Sequence, residues 1–285
     1  MAGLVGSEMC IRDSFIYAYS YCYNLKSSMT YIHNISPIML EIYGIKLYWY
    51  GFMYAISFVI IDYLIVSASK NKDIDLEPPA AEKLTLVVLL FAIIGGRLGY
   101  VFFYDLNYFA SNIQKIFYLW EGGMSFHGGL IGAVIGSVYF SRKYQTDILN
   151  LTDIISLYTP IGLFFGRLGN FMNSELYGLQ TSGSWGVIFT KVDEYPRHPS
   201  MIYEAFLEGI VLFIILLIIK STKPIYGFIS GCFLFFYGIF RFTVEFVRIP
   251  DAHIGYIYYD WVTMGHLLSI PMILLGVVIM YRKIS

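Results

Sequence analysis

The chain has 285 residues, of which 57% are hydrophobic and 14% charged, where a soluble domain carries about 25% charge. With a mean hydropathy of +0.63 and a net charge of −1, it is excluded from the ordinary soluble globules and shows no basic footprint for a nucleic-acid partner. The composition is that of a polytopic membrane protein.

Residues 1–28 stand apart from the rest of the chain. The stretch "GSEMCIRDS" has no hydrophobic period and resembles a translated sequencing adapter, and no apolar core with a cleavage site accompanies it. The expectation is an extraneous or unstructured extension over 1–28, a natural start at Met29, and a single membrane domain over 29–285. Cys10, Cys22 and Cys232 fit neither a disulfide framework nor a paired metal motif; Cys232 lies in an apolar span and reads as a packing residue.

A crossing helix needs roughly 20 apolar residues. Segments near 47–69, 84–104, 123–141, 153–172, 202–220, 226–247 and 265–281 meet that length, so the expected fold is an all-α integral membrane protein of seven transmembrane helices. Lysine and arginine in the loops set the orientation. Lys70, Lys72, Lys83, Arg142, Lys143, Lys220, Lys223, Arg282 and Lys283 fall on one side. Outside the extension, Lys46, Lys115, Lys191, Arg197 and Arg248 fall on the other. The first group is the larger, which places the N-terminus outside, the C-terminus in the cytoplasm, and a long external loop region, about 173–201, between spans four and five.

On that topology the unusual polar residues share one depth. "LYWYG" opens span one, "GGRLGY" lies in the outer half of span two, and "WEGGMSFHGG" opens span three. "GRLGNFMNSELYG" closes span four, "RHPSMIYE" leads into span five, and "YGIFRFTVEF" is the outer half of span six. Charge in hydrocarbon costs several kcal/mol, roughly, and such residues face a protein interior or an aqueous cavity. Arg241 and Glu245 are one helical turn apart and positioned to pair, with Tyr237 on the same stripe; Arg167 and Asn170 are likewise neighbours. A lone arginine at a helix end snorkels to the interface as readily as it serves a site, but Arg97, Arg167 and Arg241 recur beside aligned Asn, Glu and His. Gly128, Gly132 and Gly136 recur every four residues, the mark of close helix packing. Asp153 is placed to cap the inner end of span four, and Glu204 and Glu208 read as solvated or dipole-favoured.

Arginine at the headgroup layer suits a phosphate, because the guanidinium binds its oxygens bidentately and stays charged. Asn170 and Asn173 are donors for ester or glycerol oxygens, and His127 or a tyrosine is a proton acceptor near neutral pH. HExxH, GxSxG and Walker A patterns are absent. The residues therefore point to a phospholipid-handling enzyme open to the outer leaflet. The competing class, a transporter, places polar residues at midplane and at both faces, whereas here the inner halves of the spans are nearly free of charge.

The motifs "GRLGNFMNSELYG", "GGMSFHGGLIG", "RHPSMIYE" and "YGIFRFTVEF.R.PDA", in the family's order over about 29–283, resemble the phosphatidylglycerol–prolipoprotein diacylglyceryl transferase family. The resemblance implies transfer of the sn-1,2-diacylglyceryl group of phosphatidylglycerol to the lipobox cysteine of a preprolipoprotein, forming a thioether and releasing glycerol-1-phosphate. It further implies residence in the bacterial inner membrane, a substrate drawn from the lipid bilayer, and no metal or nucleotide cofactor. Arg167 and Arg241 match the family's essential arginines. His127, Tyr50, Asn170, Glu175, Gly178 and Tyr237 match its other functionally important positions. Arg167, Arg241 and His127 are thus the catalytic candidates, and Tyr50, Arg97, Asn170, Asn173, Glu175, Gly178, Tyr237 and Glu245 the substrate-binding ones. Ser174 stands where the family often has glycine. The thiol's base stays open: histidine is the residue type suited to that task, which makes His127 a candidate, while a thiolate stabilised by arginine needs no strong base.

Overall fold

The computed structural model describes residues 30–119, 122–250, 255–259 and 261–281; the expected extension 1–28 lies outside them. Helix α1 (Trp49–Lys70) is followed by α2 (Pro78–Phe103), the short α3 (Leu106–Ser111), a 3-10 turn (Ile113–Phe117) and α4 (Phe126–Tyr144). Then come α5 (Ile148–Asn173), α6 (Ser200–Ser221), α7 (Phe228–Glu245) and α8 (Met264–Tyr281). Six of these, α1, α2, α5, α6, α7 and α8, are long and apolar enough to cross a membrane. The segment expected as span three does form a helix, α4, but is not among them. Its glycines, His127 and the Arg142–Lys143 end dilute the apolar run.

What α4 lacks in apolar length it recovers in packing on α2. A methyl added at Gly128 would lie 2.9 Å from the Gly99 Cα, one at Gly132 3.1 Å from the Gly95 Cα, and one at Gly136 2.7 Å from the Phe91 Cβ. The glycine stripe is therefore a close seam between the two helices, as its four-residue spacing implies.

The all-α expectation needs amendment at one end. Strands β1 (Tyr31–His33), β4 (Val187–Phe189) and β5 (Pro196–Arg197) form a sheet in the order β1-β4-β5, with β1 parallel and β5 antiparallel to β4. Strands β2 (Ile38–Ile42) and β3 (Ile45–Tyr48) make a hairpin, turned by Tyr43 and Gly44 at φ 50° and 81°, the left-handed pair that matches strand twist. These segments are too short to give a clear two-residue period.

Away from the sheets the bundle is closed by apolar side chains: Leu84, Phe140, Leu151, Leu157, Leu212 and Leu216 are fully buried in one cluster, and Cys232 packs there too. Asp153 does not cap its own helix. Asp147 does that, accepting from the backbone N–H groups of Leu149 and Asn150. Asp153, buried further along α5, accepts from the N–H groups of Gly227 (2.6 Å) and Ser230 (2.8 Å) and so caps α7, to which α5 contributes a carboxylate across the bundle.

Candidate active site

Three helices deliver charge to one point. On α5, Arg167 stands within two turns of the helix end. On α6, Glu204 precedes a π-helical stretch, Ala205–Val211, and Glu208 lies within it. On α7, the Arg241–Glu245 spacing forms the expected pair, Nη2 to Oε2 at 2.7 Å. Helices α5 and α6 approach closely because Gly209 sits on the backbone of Phe164; a methyl there would lie 3.0 Å from its Cα.

Glu204 is the centre. Wholly buried, it meets Arg167 Nε through Oε2 at 3.0 Å. Its Oε1 accepts from Arg248 at 3.0 Å and from Arg241. Glu208, also wholly buried, reaches Arg167 Nη2 at 3.4 Å. Glu245 accepts in addition from Thr263 Oγ1 at 2.7 Å, which ties the network to the start of α8. Arg167 and Arg241 remain 16% exposed. The arrangement holds guanidinium groups in fixed orientation at the mouth of an apolar bundle, where an incoming phosphate would meet prepositioned donors.

The end of α5 is built around Glu175. Ser174 adopts the left-handed conformation (φ 60°) and stops the helix. Glu175 then turns back to accept from Asn170 Nδ2 and Asn173 Nδ2, both at 3.2 Å. Tyr50 lies across Gly169, with its hydroxyl 3.2 Å from that of Tyr54 and within the field of Glu175 and Arg167. Gly178 bridges to Arg248 and donates its N–H to His198 O at 2.8 Å. A side chain there would collide with His198.

The family model described as prolipoprotein diacylglyceryl transferase matches residues 37–282. The chain belongs to this family. Proteins called phosphatidylglycerol–prolipoprotein diacylglyceryl transferase are similar to it. That of Nitratidesulfovibrio vulgaris strain DP4 is 41% identical over 85% of this chain and 92% of that protein. The like-named protein of Francisella tularensis subsp. mediasiatica is 44% identical over 87% and 92%, and that of Buchnera aphidicola 44% over 87% and 96%. Family membership makes the chain a membrane transferase of the first step of lipoprotein maturation.

Of the site residues expected from the sequence, Arg167, Arg241 and Glu245 join one ion network, and Tyr237 lies in the field of both arginines and of Glu208. Tyr50, Asn170, Asn173, Glu175 and Gly178 form the adjoining shell. Arg97 is elsewhere. The residue is 4% exposed and its guanidinium donates to the carbonyls of Lys115, Ile116, Tyr118, Gly122 and Gly123, at 2.5–3.3 Å. Those bonds tie α2 to described backbone that precedes α4. His127 sits exposed in the first turn of α4 and is not part of the arginine–glutamate network. Sequence reasoning missed Glu204 and Glu208 as site groups, because a carboxylate at the start of a span reads as solvated; their one-turn spacing, aligned with Arg167 and Arg241, was the available signal. Arg248, counted as a loop cation, also belongs to the network.

Proposed function

We propose that phosphatidylglycerol docks with its phosphate against Arg167 and Arg241, and that a lipobox cysteine of a prolipoprotein attacks the glycerol carbon that bears the phosphate. A sulfur–carbon bond forms, the carbon–oxygen bond to phosphate breaks, and glycerol-1-phosphate leaves with the electron pair. The arginines stabilise the charge that develops on the leaving oxygen. His127 takes the thiol proton in this reading, histidine being the side chain that titrates near neutrality, and Arg97 acts by fixing the segment before it. Tyr50, Asn170, Asn173, Glu175, Gly178, Tyr237 and Glu245 shape the substrate-binding surface. One observation carries the assignment: a single buried carboxylate, Glu204, fixes three arginines from two helices and the segment after α7.

In the same proposal α4 is the third of seven spans and the transferase domain runs over 29–285, which the family match to 37–282 supports. The N-terminus is outside, and the site opens to the outer leaflet of a bacterial inner membrane. The cation bias of the loops and the bacterial relatives support this reading. The decisive experiment incubates purified protein with headgroup-labelled phosphatidylglycerol and a lipobox peptide. Release of labelled glycerol phosphate with thioether formation, and neither with a Cys→Ser peptide, is expected. Absence of transfer to the cysteine peptide refutes the reading.

A further inference from the structure

The arginine cluster is not a purely cationic site. Arg167, Arg241 and Arg248 are matched by Glu204, Glu208 and Glu245, all three carboxylates buried. Two of these carboxylates are fully employed: Glu204 orients all three arginines, and Glu245 joins Arg241 to Thr263. Glu208 is different. Among the described residues its one ion pair is the longest of the set, 3.4 Å to Arg167 Nη2, and its Oε1 is buried with neither a hydrogen bond nor an ion pair, whereas the Oε2 atoms of Glu204 and Glu245, which also lack a hydrogen bond, each meet an arginine, at 3.0 and 2.7 Å. The groups facing it are Arg167 from α5, Arg241 and Tyr237 from α7, and Glu204 on its own helix. A buried carboxylate so thinly compensated is a net cost to folding, and an apolar or amide side chain of its size would serve packing as well or better. A carboxyl group kept at this position therefore calls for a reason other than packing.

Charge balance at the phosphate supplies one. A phosphodiester lipid carries one negative charge. The phosphate monoester that leaves carries between one and two at neutral pH, since its second ionisation lies near 6. A bare arginine cluster would hold the product more tightly than the substrate and would be blocked by it. Resting on the phosphate assignment above, we propose that Glu208 is a specificity-determining residue of the transferase. Its carboxylate trims the field of Arg167 so that a singly charged diester is accepted and the more highly charged monoester is expelled.

Two measurements test this. In the intact wild-type protein, glycerophosphoglycerol, the diester headgroup, should inhibit transfer at lower concentration than glycerol-1-phosphate; the reverse order overturns the inference. In Glu208→Gln, and in Glu208→Met should the amide variant fold poorly, the inhibition constant of glycerol-1-phosphate should fall by about ten- to a hundredfold, the scale expected for removing one nearby charge in a partly shielded site. Steady-state turnover should then drop below the first-turnover rate. A variant that transfers normally with an unchanged or weaker product inhibition also overturns it. If neither anion inhibits the wild type at any concentration, the phosphate assignment fails, and this inference with it.

Discussion

At the scale of single residues, the distinction that matters is between a charge and a fork. Arg241 engages Glu204 with one terminal nitrogen and Glu245 with the other, and Arg167 divides its nitrogens between Glu204 and Glu208. Lysine has one nitrogen and cannot bridge two carboxylates in this way while also meeting a phosphate. Arg167→Lys and Arg241→Lys should each lower transferase activity by roughly a hundred- to a thousandfold, the typical loss of about 2.7–4 kcal/mol when an oxyanion donor is removed. Near-normal rates in both, with folded protein at normal levels, would show that the charges are merely interfacial. Ser174 makes a second residue-scale case. Its φ of 60° belongs to the left-handed region, which costs a side-chain-bearing residue roughly 1–2 kcal/mol, and its hydroxyl is buried without a partner among the described residues. Ser174→Gly should stabilise the protein by about 1 kcal/mol after the greater freedom of glycine in the unfolded chain is set against the relief. Thermal unfolding in detergent reads this as a higher Tm; a lower Tm would show that the serine holds the turn.

At the scale of elements, position is decided where helices touch. The tetrapeptide GRLG occurs in α2 and again in α5, and in both the glycines admit a neighbour: Gly99 meets α4 and Gly169 meets Tyr50. The arginines nonetheless face different elements, because Arg97 donates to the carbonyls of Lys115, Ile116, Tyr118, Gly122 and Gly123 and Arg167 pairs with α6. The small three-stranded sheet makes a pH-dependent joint. His33 of β1 is wholly buried, with its ring 4.4 Å from Phe171 at the end of α5 and 5.4 Å from Phe189 of β4. Burial pushes its imidazole below the ordinary histidine value, so the folded strand resists a proton that the unfolded strand takes at about pH 6.5. The stability contributed by neutral His33 is therefore complete above that pH and is lost progressively as pH falls below it toward the depressed folded value. Hydrogen exchange at 31–33 and 187–189, corrected for the intrinsic pH dependence of exchange, should accelerate between about pH 7 and pH 5, the range that brackets the ordinary histidine value, and His33→Leu should flatten the dependence. A flat profile in the unmodified protein would rule the joint out.

At the scale of the whole molecule, charge is sorted by end. One end gathers the buried ion network, the Glu175 turn and the sheet. At the other end Asp153 caps α7, and Tyr226 donates to Asp75 at 2.5 Å, which raises the tyrosine above its usual range. If α4 crosses as the third span, the chain crosses seven times and its ends lie on opposite sides. A reporter fused after Ser285 should then be cytoplasmic, as the loop lysines and arginines require. A periplasmic signal there would overturn both the span count and the orientation, and would put the arginine site on the wrong side for an outer-leaflet lipid.

The sequence by itself determined the membrane class, the existence of the helical segments, though with the starts at Pro78 and Ile148 placed too late, the Arg241–Glu245 pair and the glycine seam of α4. These depend on local spacing, and a helix converts spacing into a shared face without help from the rest of the chain. Family-specific motifs identified the chemistry because they are long and ordered. Only the tertiary structure decided which carboxylates were buried and which arginine did what. Glu204 and Glu208 look like surface groups until α6 is laid against α5 at Gly209. Asp153 looks like a cap for its own helix until α7 is brought to it. Arg97 and Arg167 share a tetrapeptide and differ only in what lies opposite. Burial and ion pairing are properties of contacts between elements distant in sequence, and composition along one element carries no record of its neighbour.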